Sequence, residues 1–368
     1  MKRARKIAFV DLGTEFTGAQ AYARNLLPLL SDDALLWLIK IAPQFRLSNP
    51  PASIAVLDLG FSLKWGRAVQ IALCMFVLLW LRLRHGLTTV WVNGYPEIAL
   101  MPWARLLGMR AMATRHLTLV ENKPRLSWLR SGWRVHFLYE RLAPFAHRIV
   151  CVSDAVRESM KTCVPENKLI VIRNWIPRLP EPRTSDRSTM PLRLLFVGRL
   201  IELKGAHLLL DAMRHLAKKR GPAMASLVIV GEGDERAALE IAAQGLDVTF
   251  AGFHKDPSQF YREADVFINP SLGPEGLPLV SLDAMSYGLP CVFSNLPVHR
   301  EITGNGQAAL LFERGDAGDL ARALEYLIDS PQSVTNYGQV ARQIAGEMFT
   351  ADFARRRYLE ELNLLTAQ

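Results

Sequence analysis

Residues 271–290 read SLGPEGLPLVSLDAMSYGLP and are the most informative stretch of this 368-residue chain. A Gly/Pro-rich turn carries Glu275, and eight positions later Asp283 lies in a predicted helix that begins near Pro278, because proline is favoured in a first helical turn. Amide N–H groups at the start of a helix form a natural anion site. The two carboxylates can accept hydrogen bonds from polyol hydroxyls. The stretch therefore predicts a pocket that binds a phosphate next to a polyol.

The second informative stretch, residues 196–205, reads FVGRLIELKG. Arg199 follows an apolar strand, and Lys204 precedes Gly205 and a predicted helix. At a strand's carboxyl end the two cations could neutralise a diphosphate, since Arg binds two oxygens at once and Lys acts as a point charge. Alone, this spacing is more typical of a solvated basic turn. Its combination with the Glu275 turn favours the diphosphate interpretation.

A third stretch, residues 228–234, reads VIVGEGD and predicts a strand that ends in a Gly-x-Gly turn. Most such turns only reverse the chain. The stretch lacks the GxGxxG spacing, so a dinucleotide fingerprint is not supported.

Short β-type runs alternate with helical patterns along most of the chain, which indicates parallel sheets covered by helices. The predicted strands are 6–10, 35–41, 54–57, 89–92, 110–113, 148–152, 168–172, 227–230, 248–250, 266–268 and 291–293, and the alternation restarts at Arg193 in the apolar run LRLLFVGRL. The predicted helices include 19–30, 68–84 and 155–163, and the chain is predicted to be helical after Asp316.

Residues 177–191 are rich in proline and polar residues and predict a linker. We therefore expect an α/β protein of two doubly wound Rossmann-like domains that face a cleft. The first domain spans residues 1–176 and is joined by the C-terminal helix at about 350–368. The second spans residues 192–349. In such folds ligands bind at the carboxyl ends of the strands.

Charge is distributed unevenly, with a formal net charge of +14 in residues 1–185 and −5 in residues 186–368. A basic first half predicts an anionic partner such as a membrane surface, an acidic acceptor or nucleic acid. Half of all residues are hydrophobic, so each domain can bury a core.

The chain start, MKRARKIAFVDLG, predicts a first strand rather than a signal peptide.

The four cysteines are scattered without a CxxC pair, which predicts reduced structural thiols in the cytoplasm. The longest apolar stretch, residues 71–81, is shorter than the roughly 20 residues that span a bilayer. Any membrane contact is therefore expected to be peripheral, and we favour core packing for this stretch.

Residues 125–148 combine arginines with Trp, Tyr and Phe, which is typical of a helix in a membrane interface and equally of a core-packing helix. Asp32 and Asp33 are expected only in a polar turn, and no DxD motif stands at a strand end. No His/Asp/Glu cluster has metal-ligand spacing, so we expect no metal and no cofactor.

Residues 196–205, 228–234 and 269–290 together resemble the C-terminal half of a retaining glycosyltransferase of the family-four group, which has the GT-B fold and a Glu-x7-Glu element. In the first half the resemblance is looser. Gly18-Ala19-Gln20 is similar to that family's Gly-Gly-Ala-Glu loop, and Val152-Ser153 and Asn174 fall where its V-x-S and P-N-G elements would lie.

The resemblance implies roles for individual residues. Arg199 and Lys204 would hold the donor diphosphate, and Glu275 would contact the donor sugar near its C3 hydroxyl. The remaining implied donor contacts are the Gly18 loop, the backbone N–H groups of Gly276, Leu277 and Leu279, and Asp283 in the ribose-binding position.

His116, in the segment ATRHLTL after a predicted strand, is similar to the family's first-domain histidine that faces the donor sugar. The alternative interpretation of His116 is a surface histidine beside Arg115.

Two departures from the family pattern weaken the donor site. Asp283 is one methylene shorter than the family's Glu, and Pro278 replaces a common Gly and donates no hydrogen bond.

The resemblance implies a metal-independent, retaining hexosyltransferase that uses a UDP- or GDP-linked sugar in lipopolysaccharide or exopolysaccharide biosynthesis. The basic first half favours a lipid-diphosphate-linked acceptor at the inner face of the cytoplasmic membrane over a free glycan. Three alternatives stay open: a nucleotide-sugar epimerase of the same architecture, a basic nucleic-acid-binding protein, and a catalytically silent relative. The nucleic-acid alternative would leave Glu275, Asp283 and the Arg199/Lys204 pair without a role, and no nucleic-acid-binding motif occurs.

Overall fold

The computed structural model describes residues 5–13, 17–41, 45–47, 49–60, 66–94, 96–118, 141–181 and 191–367. The chain divides into two compact units. Unit 1 comprises Met1–Asn174 and Asp352–Gln368, and unit 2 comprises Trp175–Ala351. The end of the last helix therefore belongs to the same unit as the first strand.

In unit 1 the described residues form a seven-stranded parallel sheet in the order β3-β2-β1-β4-β5-β6-β7. Helices α1, α2, α3 and α4 lie in four of the connections between successive strands, as is usual for parallel pairing. The elements are β1 Arg5–Asp11, α1 Gly18–Leu30, β2 Ala34–Lys40, β3 Ile54–Asp58, α2 Arg67–His85, β4 Thr89–Val92, α3 Leu100–Leu106, β5 Arg110–Arg115, β6 Arg148–Cys151, α4 Asp154–Met160, β7 Leu169–Val171 and, at the chain end, α12 Ala351–Ala367.

The central strands of this sheet are apolar along their whole length because helices cover both faces. All four residues of β4 are buried, for example. The chain-end helix α12 packs on unit 1 through Tyr358. The Tyr358 hydroxyl lies 2.8 Å from that of Tyr22, and its ring centroid lies 5.5 Å from that of Trp91 in a tilted contact. Arg355 of α12 also pairs with Asp33 at 2.5 Å.

Helix α2 is longer than the apolar stretch 71–81 suggests, and its 19 residues are long and apolar enough to cross a membrane by length and composition alone. In the fold, however, α2 is the crossover between β3 and β4 of one sheet, and Cys74, Leu78 and Leu81 are buried. The expectation of core packing holds for this side only, because the opposite side is exposed. Gly86, with φ of 66°, ends the helix.

In unit 2 the described residues form a six-stranded parallel sheet in the order β10-β9-β8-β11-β12-β13. The elements are β8 Leu192–Val197, α5 Ala206–Arg220, β9 Ala225–Val230, α6 Arg236–Ala242, β10 Val248–Gly252, α7 Ser258–Glu263, β11 Val266–Asn269, α8 Leu279–Ser286, β12 Cys291–Ser294, α9 Pro297–Ile302, β13 Ala309–Phe312, α10 Ala317–Asp329 and α11 Pro331–Met348. The edge strand β13 is not among the strands predicted from the sequence.

The sequence prediction of two doubly wound Rossmann-like α/β domains is confirmed, with small differences at element ends. Helix α4 ends at Met160 rather than at residue 163, and Pro278 is the N-cap of α8 rather than part of its first turn. Of the predicted linker, residues 182–190 lie outside the described residues. Before them, the carbonyl oxygen of Pro180 accepts a hydrogen bond from Arg342 of α11 at 2.8 Å.

Candidate active site

Two loops of unit 2 meet at the carboxyl edge of its sheet, because the strands that they follow, β8 and β11, are neighbours. The amide of Leu272 donates to the carbonyl oxygen of Leu203 at 2.8 Å, and the hydroxyl of Ser271 donates to the same oxygen at 3.1 Å. Gly205 has φ of 71°, and a Cβ there would lie 2.1 Å from the Pro270 carbonyl oxygen. Glycine is therefore required for the close approach of the two loops.

This approach brings together two of the predicted donor-binding residues. The Lys204 ammonium donates to Glu275 Oε1 at 2.5 Å, and Glu275 is only 6% exposed. Burial alone would raise the pKa of the Glu275 carboxyl, but the charge and hydrogen bond of Lys204 outweigh it and hold that pKa below its ordinary value. Glu275 is therefore an ionised carboxylate at neutral pH.

The Gly-x-Gly turn of residues 231–233 supports the loop that carries Arg199. A Cβ on Gly231 would lie 1.8 Å from the Gly198 carbonyl oxygen, and a Cβ on Gly233 would lie 2.3 Å from that of Leu200. The amide of Leu200 also donates to the Glu232 carbonyl oxygen at 2.8 Å. The two glycines thus let the turn pack against the backbone on both sides of Arg199, a role that the sequence pattern alone did not reveal.

Arg199 itself is exposed, and the described part of the chain provides no hydrogen-bond or ion-pair partner for its guanidinium. Lys204 engages Glu275, whereas no direct contact joins Arg199 to Glu275 within the described residues. Arg199 is therefore available to bind an anion from solvent at the same sheet edge.

Helix α8 starts directly after the Glu275 turn. Within the described ranges, the amide N–H groups of Gly276 and Leu279 have no backbone acceptor, as expected for the start of a helix. Leu277 is buried. Asp283 is half-buried on the same helix, close enough to Tyr261 to raise the pKa of that phenol, although burial is the larger cause.

His299 is a candidate site residue that the sequence analysis missed. It is fully buried, its Nδ1 donates to the Ser294 carbonyl oxygen at 2.7 Å, and its Nε2 has no partner in the described part of the chain. Burial lowers its pKa to about 4, with opposing contributions from Glu275 and Lys204 that place it near this ion pair. The neutral ring therefore presents an acceptor nitrogen within the candidate site.

In unit 1 a second polar cluster lies at the carboxyl ends of β1, β4 and β5. His116 Nε2 lies 2.9 Å from Asn93 Oδ1, and Asn93 Nδ2 donates to Asp11 Oδ2 at 2.7 Å and to the Ala19 carbonyl oxygen at 2.9 Å. Both amide hydrogens of Asn93 are thus in use, so its oxygen must accept from His116.

The consequence is a single His116 tautomer. Nε2 carries the hydrogen, and Nδ1, which has no partner among the described residues, is left as an acceptor. Burial, followed by the charge of Arg115, lowers the pKa of His116 to about 3, so the ring is neutral. A neutral acceptor of this kind suits a donated hydrogen bond from a hydroxyl.

The predicted Gly18 loop is joined to the same cluster. Gly18 is the first residue of α1, Thr17 is its N-cap, and Gln20 Oε1 accepts from the Thr17 amide at 3.0 Å. Gln20 Nε2 donates to Asp11 Oδ1 at 2.7 Å. A Cβ on Gly18 would meet no atom of the described residues within 4 Å, so no described side chain fills the space beside this exposed glycine.

Glu97 is a further buried carboxyl that the sequence analysis did not single out. Its Oε1 accepts from the Leu12 amide at 2.5 Å, and its Oε2 has no partner within the described ranges. Burial, and then the charge of Asp11, raises the pKa of Glu97 to about 7. At a pH near 7, about half of the protein molecules therefore carry a protonated Glu97, and in that form Oε2 could donate a hydrogen bond.

We expect Glu97→Gln to remove part of the pH dependence of stability. The unfolded chain releases this proton near pH 4.5 and the folded chain only near 7, so ionisation opposes folding as the pH rises between these values. The free energy of unfolding of the parent protein should fall relative to the variant by up to about 3 kcal/mol from pH ~5 to pH ~8. Urea unfolding at both pH values measures this, and parallel pH profiles would contradict it.

Among the described residues, no group of three or more His, Cys, Asp or Glu side chains could hold a metal ion. None of the described cysteines is in a disulfide, and three of the four are buried. Of the basic aromatic stretch 125–148, residues 125–140 lie outside the described residues.

Two family models match the chain. Residues 191–330 match the model described as glycosyl transferases group 1, and residues 52–178 match the model described as glycosyltransferase family 4. The first covers the Lys204–Glu275 pair and its glycines, and the second covers Asn93 and His116.

Curated relatives include enzymes of cell-surface polysaccharide synthesis. The amylovoran biosynthesis glycosyltransferase AmsK of Erwinia amylovora is 32% identical over 213 residues, which are 55% of this chain and 52% of AmsK. The lipopolysaccharide core biosynthesis glycosyltransferase LpsE of Rhizobium meliloti is 24% identical over 303 residues, 77% of this chain and 87% of LpsE. The chain thus spans about half the length of AmsK and most of LpsE.

Among solved structures, HepE of Anabaena in complex with UDP superposes with a TM-score of 0.80 at 20% identity, covering 97% of this chain and 99% of HepE. The fold is therefore that of the GT-B glycosyltransferases, two Rossmann-like domains with parallel sheets. Within this class, the second part of the chain matches the group 1 glycosyltransferases and the first part matches glycosyltransferase family 4, and the chain is related to enzymes of polysaccharide and lipopolysaccharide biosynthesis.

Proposed function

We propose that this chain is a retaining, metal-independent glycosyltransferase that moves a hexose from a UDP- or GDP-linked donor to a glycan or lipid-linked acceptor in cell-surface polysaccharide biosynthesis. The observation that carries the proposal is the Lys204–Glu275 pair at the carboxyl edge of the second sheet. Arg199 follows a strand at the same sheet edge, and neither its guanidinium nor the Gly276 and Leu279 amides have a described hydrogen-bond acceptor. Structures of HepE with UDP and with UDP-glucose support a nucleotide-sugar donor.

The donor diphosphate would bind where positive charge and free N–H groups meet. An ammonium has three N–H donors, so Lys204 can contact a phosphate oxygen while it stays on Glu275. Arg199 would add a bidentate contact, and the amides of Gly276 and Leu279, with Leu277 between them, would add backbone donors. Asp283, four residues into α8, would accept from the ribose hydroxyls.

Glu275 would hold the sugar by accepting from its hydroxyls near C3. As the bond between the anomeric carbon and the phosphate oxygen breaks, negative charge grows on the leaving diphosphate. Lys204, Arg199 and the helix amides stabilise this charge without a metal. In the proposed retaining reaction the acceptor hydroxyl attacks from the side on which the diphosphate leaves, and the leaving phosphate takes the hydroxyl proton.

We propose that His116 of unit 1, whose Nδ1 acceptor is fixed by the Asn93–Asp11 hydrogen bonds, accepts a hydrogen bond from a sugar hydroxyl. The open space that the described residues leave at Gly18 would let the backbone at the start of α1 approach a sugar.

We further propose that unit 1 contacts the inner face of the cytoplasmic membrane peripherally. The outer face of α2 supports this contact: Val69, Phe76, Trp80 and Leu83 are between 48% and 78% exposed. Arg67 lies at the start of the helix, and Arg82 and Arg84 lie near its end. Apolar side chains flanked by arginines are typical of helices that lie in an anionic interface.

We expect Phe76→Ser combined with Leu83→Ser to weaken binding to vesicles that contain phosphatidylglycerol at least about tenfold. Each exposed apolar side chain that enters the bilayer contributes roughly 1.5–3 kcal/mol. Co-sedimentation measures the effect, and Ile241→Ser with Phe253→Ser is the matched control, since both residues are more than 60% exposed in unit 2. Equal binding of both double variants would contradict the proposed contact.

The function itself is tested by incubating the protein with each UDP- and GDP-sugar that raises its melting temperature, with and without membrane lipid extract. Mass analysis detects a glycosylated product, and NMR spectroscopy assigns its anomeric configuration and detects any epimerised donor sugar. A glycosylated lipid or glycan product with the anomeric configuration of the donor supports the proposal. An altered donor sugar formed without acceptor would instead identify an epimerase, and binding to duplex DNA in place of nucleotide-sugars would refute an enzymatic role.

A further inference from the structure

A cavity of about 350 Å³ opens in unit 1 at the sheet edge opposite the one that carries His116. It is lined by Arg105, His147, Arg148, Asn167 and Lys168. His147 and Arg148 stand at the amino end of β6, Lys168 immediately precedes β7, and Arg105 is near the end of α3, before β5. A strand of six residues such as β5 separates this edge from His116 by roughly 20 Å.

The charged residues of the lining are all cationic. Three of its five residues are Arg or Lys, and Arg110 adds a fourth positive charge close to His147. The one described carboxylate in contact is Glu361, whose Oε2 lies 3.6 Å from Arg148 Nε. Arg105 is exposed and has no ion-pair partner in the described part of the chain.

The hydrogen bonds that the cavity residues make within the described chain leave several of their N–H groups unused, and none of these bonds involves a carboxylate. His147 Nδ1 accepts from the Ala111 amide at 3.0 Å, so its Nε2 carries the remaining hydrogen. Lys168 Nζ donates to the Pro144 carbonyl oxygen at 2.6 Å, which leaves two of its N–H groups. The Asn167 amide adds two further donors.

The crowding of positive charges around the cavity contributes to lower pKa values for His147 and Lys168. Burial, followed by the charges of Arg105, Arg110, Lys168 and Arg148, lowers the pKa of His147 to about 4. Burial and the charges of Arg105 and Arg148 also lower the pKa of Lys168. A group of cations that repel one another in a concave site is relieved by a bound anion.

We propose that this basic cavity is a phosphate-binding site, separate from the donor site and independent of the proposed transferase activity. Planar guanidinium groups and an ammonium match a phosphate group that presents several oxygens. The phosphate can belong to a lipid headgroup or to a soluble ion. Leu106, 75% exposed and next to Arg105, would lie against an acyl region if the source is a lipid.

The test compares the parent protein with Arg105→Gln/Lys168→Gln and with the control Lys218→Gln/Arg356→Gln, which removes the same charge from exposed positions elsewhere. Calorimetric titration with inorganic phosphate and pyrophosphate forms one arm. Because the donor site is unchanged in all three proteins, any difference reports on the cavity. Co-sedimentation with phosphatidylcholine vesicles, with or without phosphatidic acid, forms the other arm.

We expect the cavity variant to bind at least about tenfold more weakly than the control in one arm or both. A difference with soluble anions identifies a free phosphate, and a difference only with phosphatidic acid identifies a lipid headgroup. Equal binding of the cavity variant and the control in both arms overturns the proposal. If the double variant does not fold, Arg105→Gln alone provides the same comparison, because the exposed Arg105 side chain supports no described contact.

Discussion

Glu275→Gln should reduce sugar transfer about hundredfold or more while the protein stays folded. The substitution keeps the shape of the side chain but removes the charge that pairs with Lys204 at 2.5 Å and that would accept hydrogen bonds from the sugar. Hydrogen bonds to a charged group contribute roughly 1.5–3 kcal/mol each, and every 1.4 kcal/mol is a factor of ten. Losing one or two of them in the transition state accounts for the expected decrease.

The measurement is the transfer rate at saturating donor, with the melting temperature as the check on folding. Glu240→Gln is the matched control, since that carboxylate sits on α6 with a side chain 47% exposed. We expect the control to keep the parent rate. A Glu275→Gln variant with the full rate would remove the carboxylate from the proposed mechanism, whereas loss in both variants would point to a general effect of charge.

The architecture was predictable because parallel strands in this chain are short apolar runs separated by helical patterns. The runs that became β1, β4, β8 and β12 have no competing helical periodicity. The edge strand β13 was not predicted, although Gly304, Gly306 and Gly315 flank it, because four apolar residues are too few for hydrophobic periodicity to distinguish a strand from a helical turn. The length of α2 was also predicted. Its exposed apolar face was not, because the sequence does not specify which side of the helix packs on the sheet.

The meeting of Lys204 and Glu275 was predicted from their positions after strands, although the sequence does not specify that β8 and β11 are neighbours. Their function stays a prediction. The cluster of Asp11, Asn93 and Glu97 was not predicted, because its members are separated by up to 86 positions and belong to no local motif. Asp11 and Asn93 do end or directly follow buried strands, and a polar residue at that position is the signal that could have identified them.

Lys204→Met should combine a loss of stability with weaker donor binding. Glu275 would keep its buried position without a partner, and breaking a buried ion pair from one side costs roughly 3–5 kcal/mol. The exposed quarter of the Lys204 side chain admits some solvent, so we expect the lower end of that range. Urea unfolding measures the loss, and the double variant Lys204→Met/Glu275→Gln should recover most of it because no unpaired charge remains.

The pH dependence gives this prediction a definite sign. In the parent protein the lowered pKa of Glu275 contributes stability above its ordinary value of 4.5, and this contribution is lost as the pH falls through the folded-state pKa. Without Lys204, burial dominates and raises that pKa, so ionisation opposes folding and stability falls as the pH rises above about 4.5. The stability difference between parent and variant should therefore widen from pH ~4 to pH ~7. A constant difference over this range would mean that the pair is not buried enough to act as an ion pair in solution, and that the loss of donor binding reflects the missing ammonium alone.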